Sequence, residues 1–113
     1  MKFDTKGRKL ILSQCPNLKK LVISESIISE LEIEQCGSER VKIDISISES
    51  TISSVNISES YISFLDLSNQ SLSKLEFNGS ANSVITSLCL YNTIINSKVL
   101  NIEKLTCSNL ILN

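Results

Sequence analysis

Along most of the chain apolar residues recur in one spacing: apolar, two others, apolar, one other, apolar. Leu18, Leu21 and Ile23 fit it, as do Ile28, Leu31, Ile33; Ile52, Val55, Ile57; Ile62, Leu65, Leu67; Leu72, Leu75, Phe77; and Ile85, Leu88, Leu90. Val99 with Ile102 is a damaged copy, and Cys107, Leu110 and Leu112 close the series. Leu10–Leu12 and Ile45–Ile47 supply the paired positions alone. Within each pair two side chains point one way and the residue between them the other, which is the alternation of a short strand. Every second copy (Leu21, Ile45, Leu65, Leu88, Leu110) returns after 20–24 residues. A coil of that length cannot hide its own apolar side. Coils stacked ~4.8 Å apart unite their strands into parallel sheets over a shared core. The pattern therefore predicts a mainly β, right-handed parallel solenoid of about five short coils over residues 10–113, with residues 1–9 as an N-terminal tail or partial cap.

A second column strengthens this. Three residues after each pair stands a small or polar residue: Cys15, Ser26, Cys36, Ser50, Ser60, Gln70, Ser80, Thr93. Such a side chain can tuck inside the bend and hydrogen-bond the backbone groups freed where a strand turns. Its periodicity marks a structural ladder rather than a chemical site. Extra residues gather at Gly37–Lys42, Gly79–Ser83 and Asn96–Lys98, and these read as loops that vary coil length without disturbing the stack.

With both columns in place the chain resembles the leucine-rich repeats, in the short-coil bacterial type. Ile62-Ser-Phe-Leu65-Asp-Leu67-Ser-Asn-Gln-Ser-Leu72-Ser-Lys-Leu75 is similar to the L-x-x-L-x-L-x-x-N-x-L pattern, with Gln70 at the Asn position. Cys15-Pro-Asn-Leu-Lys-Lys-Leu-Val-Ile23 looks like a repeat opening. The departure is that Ser replaces most ladder Asn. The resemblance implies a protein-binding scaffold and names no partner. A rival resemblance is to pentapeptide repeats, whose square β-helix can imitate DNA and bind DNA-processing enzymes. From Ile47 to Phe77 an apolar residue recurs every five, as in Val55-Asn-Ile-Ser-Glu and Leu65-Asp-Leu-Ser-Asn. The insertions break that frame, and the position two before each centre alternates small with large.

Composition narrows the chemistry. The chain holds 21 Ser, 16 Ile and 15 Leu against one Ala, which favours strands over helices. It has no His, so His-based catalysis and His metal ligation are excluded. Net charge is −1, with no basic stripe for nucleic acid or an anionic membrane, and it also speaks against DNA mimicry. Cys15, Cys36, Cys89 and Cys107 form no Cys-x-x-Cys pair and read as reduced thiols. No signal-peptide run follows Met1 and no stretch of 18 apolar residues occurs, so a cytoplasmic protein without membrane contact is expected. No phosphate loop, dinucleotide fingerprint or nucleophile elbow is present. No catalytic residue, metal site or cofactor is therefore assigned, and no enzymatic activity is expected.

Stacking every second copy predicts two outward faces. One carries Glu30, Glu32 and Glu34 with Ser54, Asn56, Ser58, Lys74, Glu76 and Asn78, and has the character of a solvated polar face. The other scatters apolar side chains over strand positions that should be exposed, and aromatic residues on a rigid sheet suit a partner. The candidate protein-binding face is Val22, Phe64, Asp66, Tyr91 and Ile111, with Cys89 among them. The function expected is a non-enzymatic protein–protein interaction module. A further expectation is self-association through the solenoid ends, whose parallel edges carry no amphipathic cap.

Overall fold

The computed structural model describes residues 8–95 and 104–111. The described strands are β1 (Arg8–Ser13), β2 (Lys20–Ser24), β3 (Ile27–Glu34), β4 (Ile43–Ser48), β5 (Thr51–Ile52) and β6 (Ser54–Ser58), then β7 (Tyr61–Asp66), β8 (Ser71–Leu72), β9 (Lys74–Asn78), β10 (Ser83–Cys89), β11 (Ile94–Ile95) and β12 (Leu105–Ile111). They alternate between two parallel sheets. One runs β1-β3-β6-β9, with β5 extending it against β3, and the other runs β12-β10-β7-β4-β2. A two-stranded sheet of β8 and β11 closes a third side. The result is a β-solenoid of about four turns, and the five strands of the second sheet mark the coils that the repeat predicts. β1 opens at Arg8, two residues ahead of the expected start of the solenoid; residues 1–7 and the damaged copy at Val99 and Ile102 lie outside the described residues.

The registers are those of the sequence columns. Leu21 stands beside Ile45, Ile45 beside Leu65, Leu65 beside Leu88 and Leu88 beside Leu110. In the first sheet Leu12–Ile33–Ile57–Phe77 and Leu10–Leu31–Val55–Leu75 form the inward columns. Both sets meet in one core, in which Ile23, Leu31, Ile33, Ile57, Ile62 and Leu65 are sealed from solvent. A one-residue slip would turn every such column outward, so burial itself holds the register.

Each coil turns by the same device at two corners. A residue past the strand takes a left-handed backbone: Gln14, Gln35 and Glu59 directly follow strands of the first sheet, Glu25 and Glu49 directly follow strands of the second, and Asn69 and Asn92 stand three residues past β7 and β10, all with φ between 49° and 62°. The next residue points in and forms the ladder. Ser60 Oγ donates to Ser58 O at 2.9 Å and accepts the Cys36 N–H at 3.1 Å. Ser50 Oγ donates to Ser48 O and accepts the Ser26 N–H at 3.0 Å. Gln70 reaches further, donating to Ser50 O at 2.9 Å while its Oε1 accepts the Ile52 N–H at 3.0 Å. Thr93 Oγ1 donates to Leu67 O at 2.6 Å. Ser50 and Ser60 thus close their own bends and clamp the neighbouring coil, while Gln70 spends both its bonds on the neighbouring coil.

One rung departs from the sequence expectation. Ser80 is exposed and donates to Glu59 Oε1 at 2.8 Å, whereas Ser83 is buried and its Oγ accepts the Ser60 N–H at 3.1 Å. The loop after Gly79 bulges out before the chain re-enters, so the residue at the fixed offset is outside and the first Ser of the next strand fills the rung.

Ser60→Ala strands the buried Cys36 N–H, while Ser58 O keeps the Gln35 N–H at 3.0 Å. An orphaned buried group costs ~1–3 kcal/mol, so the variant should lose stability in that range in urea unfolding. Ser80→Ala, at the surface, should stay within ~0.5 kcal/mol. Equal losses in the two variants would contradict the ladder assignment.

Candidate functional site

The candidate face is the outer side of the sheet β2-β4-β7-β10-β12. Because the inward residues are held by the core, the residues between them are forced out on regular columns. Lys20, Asp44, Phe64, Ser87 and Asn109 form one column across the five strands. In the next, Val22 pairs with Ser46, and Asp66, Cys89 and Ile111 follow on the later coils.

Of the five candidate residues, Phe64 is 37% exposed, Tyr91 52% and Ile111 40%, while Val22 and Asp66 are half-buried. Ile111 lies directly beside Cys89, and Cys89 lies beside Asp66. Phe64 is diagonal to Cys89 across the same strand pair, within reach of an aromatic side chain. Tyr91 sits two residues past Cys89, in the turn after β10 rather than on a strand. That turn is firmly tied: Tyr91 O accepts the Asn69 N–H at 2.9 Å, and Asn92 Nδ2 donates to Asn69 Oδ1 at 2.8 Å. The apolar members therefore gather around Cys89 on the later coils, and Val22 stands apart on β2. Asp66 has a local task as well, because its Oδ1 accepts the Ser68 N–H at 2.9 Å and ends the strand.

The opposite sheet is polar and internally compensated. Lys9 Nζ reaches Glu32 at 3.2 Å and Glu30 at 3.5 Å, and Lys74 reaches Glu76 at 3.4 Å. The hydrogen bond to Glu32, followed by the attraction of Glu30, raises the Lys9 pKa above its ordinary value. At the adjoining corner Gln14 donates to Gln35, Gln35 to Glu59 Oε2 and Ser80 to Glu59 Oε1. The Ser80 and Gln35 hydrogen bonds hold the Glu59 carboxyl below the usual carboxylate range. These are exposed pairs of small energetic weight.

Sequence reasoning missed other exposed apolar residues. Ile11, Ile27 and Ile94 are 50–61% exposed. Ile27 opens the long strand β3 beside Thr51 of the two-residue β5, and Ile94 opens the two-residue β11 beside Ser71. The available signal was alternation: Ile11 lies between the inward Leu10 and Leu12, while Ile27 and Ile94 each stand just before an apolar residue, Ile28 and Ile95. Leu110 is 49% exposed although it occupies an inward column beside Leu88.

Among the described residues no group of three or more His, Cys, Asp or Glu is placed to hold a metal ion, and all four cysteines are free thiols. No helix among them is long and apolar enough to cross a membrane. Every buried side-chain nitrogen or oxygen among them has a hydrogen-bond partner. What the face offers is a five-stranded parallel sheet with a few exposed apolar side chains on it or at its edge. Compared with protein-family models, curated proteins and solved structures, the chain matches none.

Proposed function

We propose that this protein is a non-enzymatic protein–protein interaction module of the cytoplasm, a leucine-rich-repeat-like solenoid that docks a protein partner on its β2-β4-β7-β10-β12 face. The observation that carries the reading is the exposure of Phe64, Tyr91 and Ile111 around Cys89 on a sheet whose backbone is fixed by the ladder. Rigid aromatic anchors lose little conformational entropy on binding, and such residues dominate interface energetics. The four free thiols accord with a reducing compartment.

Immobilised wild-type chain should retain a discrete protein partner that a Phe64→Ala/Tyr91→Ala variant releases. Truncating a central aromatic anchor costs ~2 kcal/mol, about thirtyfold in affinity. Both side chains point outward, so the melting transition should move little. Undiminished affinity in the double variant would remove this face from the reading. If light scattering shows a wild-type dimer that Ile111→Lys converts to monomer, the partner is a second copy of this chain.

A further inference from the structure

The ladder beside the first sheet is unusual at its first two rungs, where Ser gives way to two thiols. Gln14 N–H donates to Glu34 O at 2.9 Å, and Gly37 N–H donates to Cys15 O at 3.0 Å. These bonds bracket Cys15 and Cys36 and set them one coil apart, directly stacked. Their sulfurs share an orientation: Cys15 Sγ donates to Ser13 O at 3.4 Å, and Cys36 Sγ donates to Glu34 O at 3.3 Å. Stacked rungs stand ~4.8 Å apart, inside the ~4.4–6.8 Å between α-carbons that a disulfide spans. Cys89 and Cys107 lie on the other sheet, on outward and inward columns respectively.

We propose that Cys15 and Cys36 are a dithiol pair that closes reversibly to a disulfide when a small-molecule disulfide such as oxidised glutathione is present, stapling the first coil to the second. Cys15 is half-exposed and Cys36 is fully buried, which sets the order of steps. The Cys15 thiolate attacks the small disulfide, forming a mixed disulfide and releasing one small thiol. Cys36 then gives up its proton and attacks the Cys15 sulfur, which expels the second small thiol. The protein pair is oxidised by two electrons, and one small disulfide is reduced to two thiols that carry both protons. Burial pushes the Cys36 thiol pKa up, so the second step is slow near neutral pH and faster in mild alkali. The staple would act at an open end of the stack: Leu10, Leu12 and Leu18 of the first coil are only partly buried, against the sealed Leu31 and Ile33 of the second.

The test is a titration of the full chain with oxidised glutathione, read by a proteolytic map without reductant and by thermal melting. The expected result is loss of two of the four thiols, a linked Cys15–Cys36 peptide, and a higher melting temperature that returns to its starting value with dithiothreitol. Cys36→Ser should fold, because Ser60 and Ser83 occupy the equivalent rungs, and should stop at a persistent glutathione adduct on Cys15 with no rise in melting temperature. Should that variant unfold, Cys15→Ser serves instead and should leave Cys36 unmodified. A wild-type adduct on Cys15 that never resolves would overturn the proposal, as would crosslinks through Cys89 or Cys107.

Discussion

Phe77→Ala should cost ~3–5 kcal/mol, the usual range for removing a buried aromatic side chain. Phe77 is the bulkiest sealed side chain in the core, 1% exposed, and it ends the column Leu12–Ile33–Ile57–Phe77. The Ile residues before it are smaller, so the core around β9 is built to accept a ring that no neighbour can replace. Domains of this size are stable by ~5–15 kcal/mol, and a loss of this order brings the chain close to unfolding. The cavity opens in one sheet, while the other continues unbroken from β7 through β10 to β12. The stack should therefore stay cooperative, and the midpoint in urea should fall with little change in slope. Phe77→Leu, which keeps most of the volume, should cost under ~1.5 kcal/mol. A loss below ~1 kcal/mol for the alanine variant would mean that this site collapses or is not packed as described.

The columns were legible in the sequence because strand alternation has a period of two and the core accepts only one phase. Leu21, Ile45, Leu65, Leu88 and Leu110 could be aligned by their neighbours alone, and from them the outward columns of Phe64 and of Asp66, Cys89 and Ile111 follow without further information. The ladder was legible for the same reason at Ser26, Ser50 and Ser60. Counting failed where the chain leaves the stack. After Gly79 the offset points to Ser80, but the loop consumes three more residues before Ser83 re-enters. Tyr91 shows a milder form, since its column is that of the sheet but the strand has already ended. The left-handed corners were not foreseen, because Gln and Glu are not the residues usually expected at positive φ. Gln14, Gln35 and Glu59 hold that backbone where coils stack, and hydrogen bonds run along their side chains from coil to coil. Here tertiary stacking overrides local preference. Exposure on the candidate face could be read as a direction, but not as a degree: Val22 and Phe64 both point outward, and only Phe64 is well exposed.

The second large effect is expected at a glycine. Gly37 follows the Cys36 rung with φ +74°, and a β-carbon there would lie 2.5 Å from Tyr61 O and 3.0 Å from Val41 O. Neither carbonyl can step aside cheaply. Tyr61 opens β7, and its N–H donates to Cys36 O at 2.9 Å, while Val41 O accepts the Ser38 N–H at 2.8 Å. Gly37→Ala therefore adds the strain of a left-handed alanine, ~1–2 kcal/mol, to a backbone collision that must break at least one of those hydrogen bonds, ~1 kcal/mol or more. A total of ~3 kcal/mol is expected in urea or thermal unfolding. Gly79 provides the control. Its φ is +104°, also left-handed, but the nearest atom to an added β-carbon is Glu59 Cγ at 2.7 Å, on a half-exposed, flexible side chain that can swing away at the expense of its bonds to Ser80 and Gln35. Gly79→Ala should accordingly cost less than Gly37→Ala. The reverse order would mean that the loop from Gly37 to Lys42 yields more readily than its hydrogen bonds imply, and that the close approach to β7 does not hold the coils in step.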